Sequence, residues 1–149
     1  VDDPDPLHDG GNMEQVSETH FRERFVFIVF GARDLPKKHR DRHILFFSAI
    51  LGLDKRQKYR EQELNDCLRR WSQRFGSGMN LDHVSLRRYL VDEGYILRDS
   101  AGACYELAQG DLPYAFDPSI QSLDLDALID EERAIREKRK QEHLKRDRN

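Results

Sequence analysis

Cysteine is scarce in this chain, with two in 149 residues, and neither belongs to a CxxC pair. That leaves no metal knuckle or dithiol redox motif to read. Cys67 falls at an apolar helix position, so both cysteines are expected as small core hydrophobes in a reducing compartment, with a disulfide between them as the lesser alternative. Long hydrophobic runs are also missing: nothing approaches the ~18 apolar residues of a membrane span. Lys and Arg are absent from the first twenty residues, which carry Asp2, Asp3, Asp5, Asp9, Glu14 and Glu18, the wrong sign for a signal peptide. On these absences the protein is expected to be soluble and cytoplasmic. No glycine-rich loop cradles phosphate, and Ser85 with nearby His83 lacks a carboxylate orienter in register, so no enzyme is expected. The formal net charge of −3 argues against a surface coated for non-specific nucleic-acid binding, while leaving room for one basic face.

What is present is a small apolar core between charged ends. Hydrophobic residues make up 38% of the chain and charged residues 36%, enough for one modest domain plus extensions. Residues 1–18 have almost nothing to bury and are expected as a disordered acidic tail. His20 to Phe30 is dense in aromatics, and its spacing fits either a helix face through Phe21, Phe25 and Ile28 or a buried strand; a helix from Ser17 or Thr19 to Gly31 is favoured. Leu35-Pro36 is expected to open the next helix, with proline in its first turn, running to about Leu51 and burying Ile44, Leu45, Phe47, Ile50 and Leu51. Tyr59 is expected in a very short strand. Glu61 to Arg74 forms the following helix on a seam of Leu64, Cys67 or Leu68, Trp71 and Phe75, and Gly76-Ser77-Gly78 closes it.

The stretch from Asn80 to Leu107 organises the rest. Asp82 is a plausible N-cap, Val84, Leu86, Leu90 and Val91 form an apolar face, and Gly94 suits the left-handed residue that ends a helix. Tyr95 to Leu97 and Ala103 to Leu107 read as two strands joined by the Asp99-Ser100-Ala101-Gly102 turn. Two helices around a short glycine-containing turn, followed by a ribbon, give an α+β fold class: a winged helix-turn-helix over residues 19–109. Residues 110–122 are expected as a linker along the surface and residues 123–149 as a charged C-terminal helix.

Leu35-Pro36-Lys37-Lys38, Tyr59-x-Glu61-x-Glu63-Leu64-Asn65, and the block from Asp82 to Gly94 with Arg98 resemble the bacterial domain of unknown function family two thousand and eighty-seven. The resemblance covers about Leu35 to Leu107. It implies a winged-helix-like domain, alone or behind helix-turn-helix modules in transcriptional regulators, and no catalytic residues. The chain departs at Arg60, where the family has Ser or Thr as an N-cap, and in everything after Gln109.

On the presumed recognition helix, 100° steps put Arg87 inside the apolar arc and Arg88, Ser85 and Asp92 outside it. Arg87 is therefore expected as a structural arginine paired with a carboxylate, Glu63 in first place with Glu61 and Asp82 as others. Arg88 is the outward cation, with Asp92 four residues on able to neutralise it. Double-stranded DNA would meet Ser85 and Arg88, with phosphate contacts from Lys37, Lys38, Arg40 and Arg98. Cations in the turn at Lys37 to Arg42 oppose a helix dipole, so they answer a phosphate backbone, an acidic neighbour such as the tail, or solvent alone, the commonest case for a charge run. His39 and His43 lack a third ligand at a recognised spacing and are expected as surface residues; no metal or cofactor is expected. Leu125, Leu128, Ile129 and Ile135 form a short stripe, for docking on the same domain or on a protein partner or second copy. The rival function is thus a protein-interaction module.

Overall fold

The structure, a computed structural model, describes residues 13–101 and 104–148. The acidic stretch through Asp9, and Gly102 at the ribbon tip, lie outside the described residues. Ser17 caps the first helix, α1 (Glu18–Gly31), accepting from the His20 N–H at 3.0 Å. Phe21, Phe25 and Ile28 are its buried residues, the spacing of a helix face rather than a strand.

Helix α2 (His39–Ile50) is the centre of the molecule. Asp41 and every residue from His43 to Ala49 are buried, so no amphipathic period survives in it. It starts three residues after Pro36 rather than at it. Proline biases Leu35 toward extended backbone, and the helix begins where Asp41 falls in the first turn, the favourable end for an acid. Asp41 also accepts both arms of Arg24, at 3.1 and 2.8 Å, tying α2 to α1.

Strand β2 (Tyr59–Arg60) leads directly into α3 (Glu61–Trp71). Arg60 has no side-chain acceptor to cap the helix, and Glu63 supplies the other half of a capping box by accepting the Arg60 N–H at 2.8 Å. Leu64, Leu68 and Trp71 face inward. The helix then widens into a π turn at Ser72–Gly76 and tightens into a 3-10 turn at Ser77–Met79, ending on Asn80 with φ 56°. Gly76 is required here, since a Cβ would stand 2.9 Å from the Trp71 ring and 3.0 Å from the Leu81 carbonyl.

Asp82 caps α4 (His83–Asp92), accepting the Ser85 N–H at 2.7 Å, and Gly94 at φ 84° turns the chain out of it. Val84, expected on the apolar face, is 42% exposed. As the second helical residue it lies at the edge of the arc that buries Leu86 and Leu90. Strands β3 (Ile96–Arg98) and β4 (Cys104–Leu107) follow, and the antiparallel sheet has the order β2-β4-β3, with Tyr59 opposite Tyr105 and Ile96 opposite Leu107.

Outside this unit the expectations need correcting at both ends. Gln15–Val16, placed by sequence in the disordered tail, is strand β1, paired in parallel with β5 (Ala115–Phe116), and Val16 is buried. The stretch expected as a surface linker is part of the core: Phe116 stacks on Phe47 at 4.0 Å, and Tyr114 and Ile120 are buried. Each end supplies the other's backbone partners and apolar cover, a saving invisible when either is read alone. A 3-10 turn at Pro118–Ser122 leads to α5 (Leu125–Arg148), whose first turn is capped by Asp124 through the Ala127 N–H at 3.0 Å. Among the described residues, no helix is long and apolar enough to cross a membrane.

Candidate functional site

Helix α4 is held from two sides, and its two adjacent arginines divide accordingly. Arg87 is half-buried and Arg88 exposed. Arg87 donates to Asn65 Oδ1 on α3, with its guanidinium 5.9 Å from the Tyr105 ring centroid. The expected pairing with Glu63 is not formed: Glu63 is taken by the Arg60 N–H, and Glu61 accepts instead from the Tyr105 hydroxyl at 3.1 Å. Asn65 carries no charge, so the charge pattern of α3 does not mark it as the partner. Its signal was an amide in a helix interior, one position from buried Leu64. Arg87→Ala is expected to destabilise the fold by more than about 1 kcal/mol, whereas Arg88→Ala leaves the melting curve in place. Equal small effects in thermal unfolding would refute this division.

The other flank of α4 meets α2. Tyr89 stacks on Phe46 at 5.6 Å and carries the Arg42 guanidinium 5.4 Å above its ring. On the sheet side Arg98 stands 5.8 Å over the same Tyr105 that Arg87 approaches. Burial and its bond to Glu61 raise the Tyr105 pKa, so the hydroxyl stays neutral. Arg88 therefore lies on the outward arc between two flanks that each present an arginine on an aromatic ring, and it makes no ion pair or side-chain hydrogen bond among the described residues. The pairing with Asp92 that sequence allowed is not made.

The remaining candidates scatter. Lys37 and Lys38 are exposed in the bend before α2. Arg40 is turned to the N-terminal segment, where it pairs with Glu14 and lies 3.4 Å from His20 Nε2; for this residue the acidic neighbour, not open solvent, meets the cation. Ser85 is half-buried at the cap, and its backbone N–H, with its hydroxyl as a lesser contributor, holds the Asp82 carboxyl below the usual carboxylate range.

The partner stripe on α5 docks on its own domain. Leu128 and Ile129 are buried and Leu125 half-buried; Arg74 ties the helix down through Asp126 at 2.5 Å and Asp130 at 2.8 Å. Arg136 lies 4.4 Å over Phe30 of α1. Ile135 alone of the stripe stays exposed.

His43 is not a surface residue. It is 1% exposed, with Nδ1 2.7 Å from the Tyr95 hydroxyl. Burial, and then neighbouring His39, push its pKa down to about 4, so the imidazole is neutral at pH 7.

Residues 33–107 match the model of a bacterial family described as "Uncharacterized protein conserved in bacteria (DUF2087)". The chain belongs to that family. The DUF2087 segment carries α2 through β4, the unit that holds both arginines and the sheet. Helices α1 and α5 and the β1–β5 pair lie outside it and cover its core. No curated protein and no solved structure matches the chain.

Proposed function

We propose that this DUF2087 protein is a winged-helix domain that binds double-stranded DNA, by itself or beside a further DNA-binding module of a transcription regulator. The element order helix, strand, helix, helix, hairpin, with the first strand added to the hairpin's second, supports the winged-helix assignment. One observation carries the DNA reading: the inward arginine of α4 is spent on Asn65, while Arg88 stands uncommitted on the outward arc, flanked by Arg42 and Arg98. Arg24 and Arg74, by contrast, are each held by carboxylates. A guanidinium over an aromatic ring, as Arg42 is over Tyr89 and Arg98 over Tyr105, keeps N–H groups for phosphate oxygens. In this reading α4 approaches the groove, Arg88 reaches base edges or backbone, Arg42 and Arg98 contact phosphates, and exposed Lys37 and Lys38 add charge further out. Arg40 has no part in it, being engaged by Glu14. The activity is one of binding, without a catalytic step.

The test is affinity for random duplex DNA as a function of salt. Four or five phosphate contacts give a log-log slope steeper than about −3, and Arg88→Ala lowers that slope by about 1. Absence of detectable binding near about 50 mM salt would end the DNA reading. A protein-interaction module is then the alternative, favoured by Phe27, 60% exposed, and Ile135, 45% exposed, which border the same groove between α1 and α5.

A further inference from the structure

Two histidines four residues apart on α2 face a carboxylate that arrives fifty residues later in the sequence. One nitrogen of His39, one of His43 and one carboxylate oxygen of Glu93 all lie within 4.8 Å of one another. The two imidazole centroids are 4.3 Å apart, and His43 Nε2 is 3.5 Å from Glu93 Oε1. Ligands about 2.0–2.2 Å from a tetrahedral ion stand roughly 3.3–3.6 Å apart. The His43–Glu93 separation already fits, and a small rotation of exposed His39 closes the rest.

The surroundings are those of ligands held for an ion. An imidazole that binds metal through one nitrogen carries its proton on the other, and that N–H needs an acceptor. Here the hydroxyl oxygen of Tyr95 lies 2.7 Å from His43 Nδ1, and that of Tyr114 lies 2.6 Å from His39 Nδ1. A tyrosine hydroxyl oxygen has the lone pairs to accept such a bond. His43 Nε2, on an almost fully buried side chain, makes no hydrogen bond among the described residues; its nearest carboxylate oxygen is the Glu93 atom. A buried ring nitrogen with no partner nearer than a carboxylate oxygen 3.5 Å away is weakly satisfied, and an ion between the two atoms would complete both. His39 is exposed and Glu93 half-buried, which gives an ion a path in and leaves a fourth position for solvent.

We infer that His39, His43 and Glu93 form a binding site for one divalent transition-metal cation of the zinc kind, with Tyr95 and Tyr114 orienting the two imidazoles. Two imidazoles and one carboxylate suit Zn(II) and its neighbours better than Mg(II) or Ca(II), which prefer oxygen alone. Bound there, the ion joins the first turn of α2 to the C-cap of α4, and so fixes the end of the helix that presents Arg88. The site does not depend on DNA binding, and its test uses no DNA.

Zn(II) titrated into the full chain, followed by calorimetry and by melting temperature, is expected to bind at one equivalent. At roughly a hundredfold excess over Kd the midpoint should rise by about 5–10 °C. His39→Ala and Glu93→Gln, both at the site's accessible side, should fold, lose at least about 100-fold in affinity and show no such rise; Tyr114→Phe should lose about tenfold. Variants that bind Zn(II) as the unaltered chain does would overturn the site, since the ion would then sit on other histidines or on Cys67 and Cys104. So would the lack of saturable one-equivalent binding at millimolar Zn(II).

Discussion

Trp71→Ala is expected to cost the fold about 3–5 kcal/mol, the range for emptying a large aromatic site in a core. Trp71 ends α3 and is 6% exposed, with its indole N–H donating to Ser48 Oγ at 2.9 Å across the interior. Ser48 in turn donates to the Leu45 carbonyl at 2.6 Å, which locks its hydroxyl for the indole. The ring also sits where Gly76 admits it, edge-on to Phe75 at 6.0 Å. Removing it opens a cavity at the joint of α2, α3 and the π turn, and strands the Ser48 acceptor. Because it is the single tryptophan, urea unfolding has to be followed by far-UV circular dichroism. Trp71→Phe retains much of the apolar contact and should lose roughly half as much. A loss below about 1 kcal/mol for the alanine variant would show that this joint is already open to water.

Asp41→Ala should destabilise by about 3 kcal/mol, the lower end for breaking a buried ion pair, because Arg24 keeps some access to solvent. Asp41 is 6% exposed and accepts two bonds from one guanidinium. Once the carboxylate is gone, Arg24 remains against α2 with the Phe27 ring at 4.7 Å and no counter-charge. The double change Asp41→Leu with Arg24→Met removes both charges and should recover most of the loss, since no uncompensated charge is left behind. If the double variant were as unstable as the sum of the two single ones, the pair would not be acting as a unit, and the contribution assigned to it would be wrong.

The legible parts of this protein are those decided by neighbours in sequence. Ser17, Asp82 and Gly94 cap and stop helices through groups a few residues away, and each does so in the structure. The opposite directions of Arg87 and Arg88 follow from helical geometry alone, although the partner of Arg87 does not. Asn65 lies on another helix, and which of several polar groups meets a guanidinium depends on how two helices are turned against each other. Similarly, α2 could not be seen as the central helix, because an element buried on all sides carries no periodic signature. His43 reads as a surface residue for that reason, while His39 at the helix start is indeed exposed.

Composition and local spacing by themselves determined the helices of the central unit, the place of the hairpin to within a residue, and which arginine of α4 points outward. Only the folded arrangement decided that the two ends of the chain pair as β1 and β5, that α5 docks on its own domain, and that His39, His43 and Glu93 meet. Caps and faces are set by interactions within a turn or two of one helix. Pairings across fifty or a hundred residues arise from burial of apolar surface by the chain as a whole, which no short window of sequence contains.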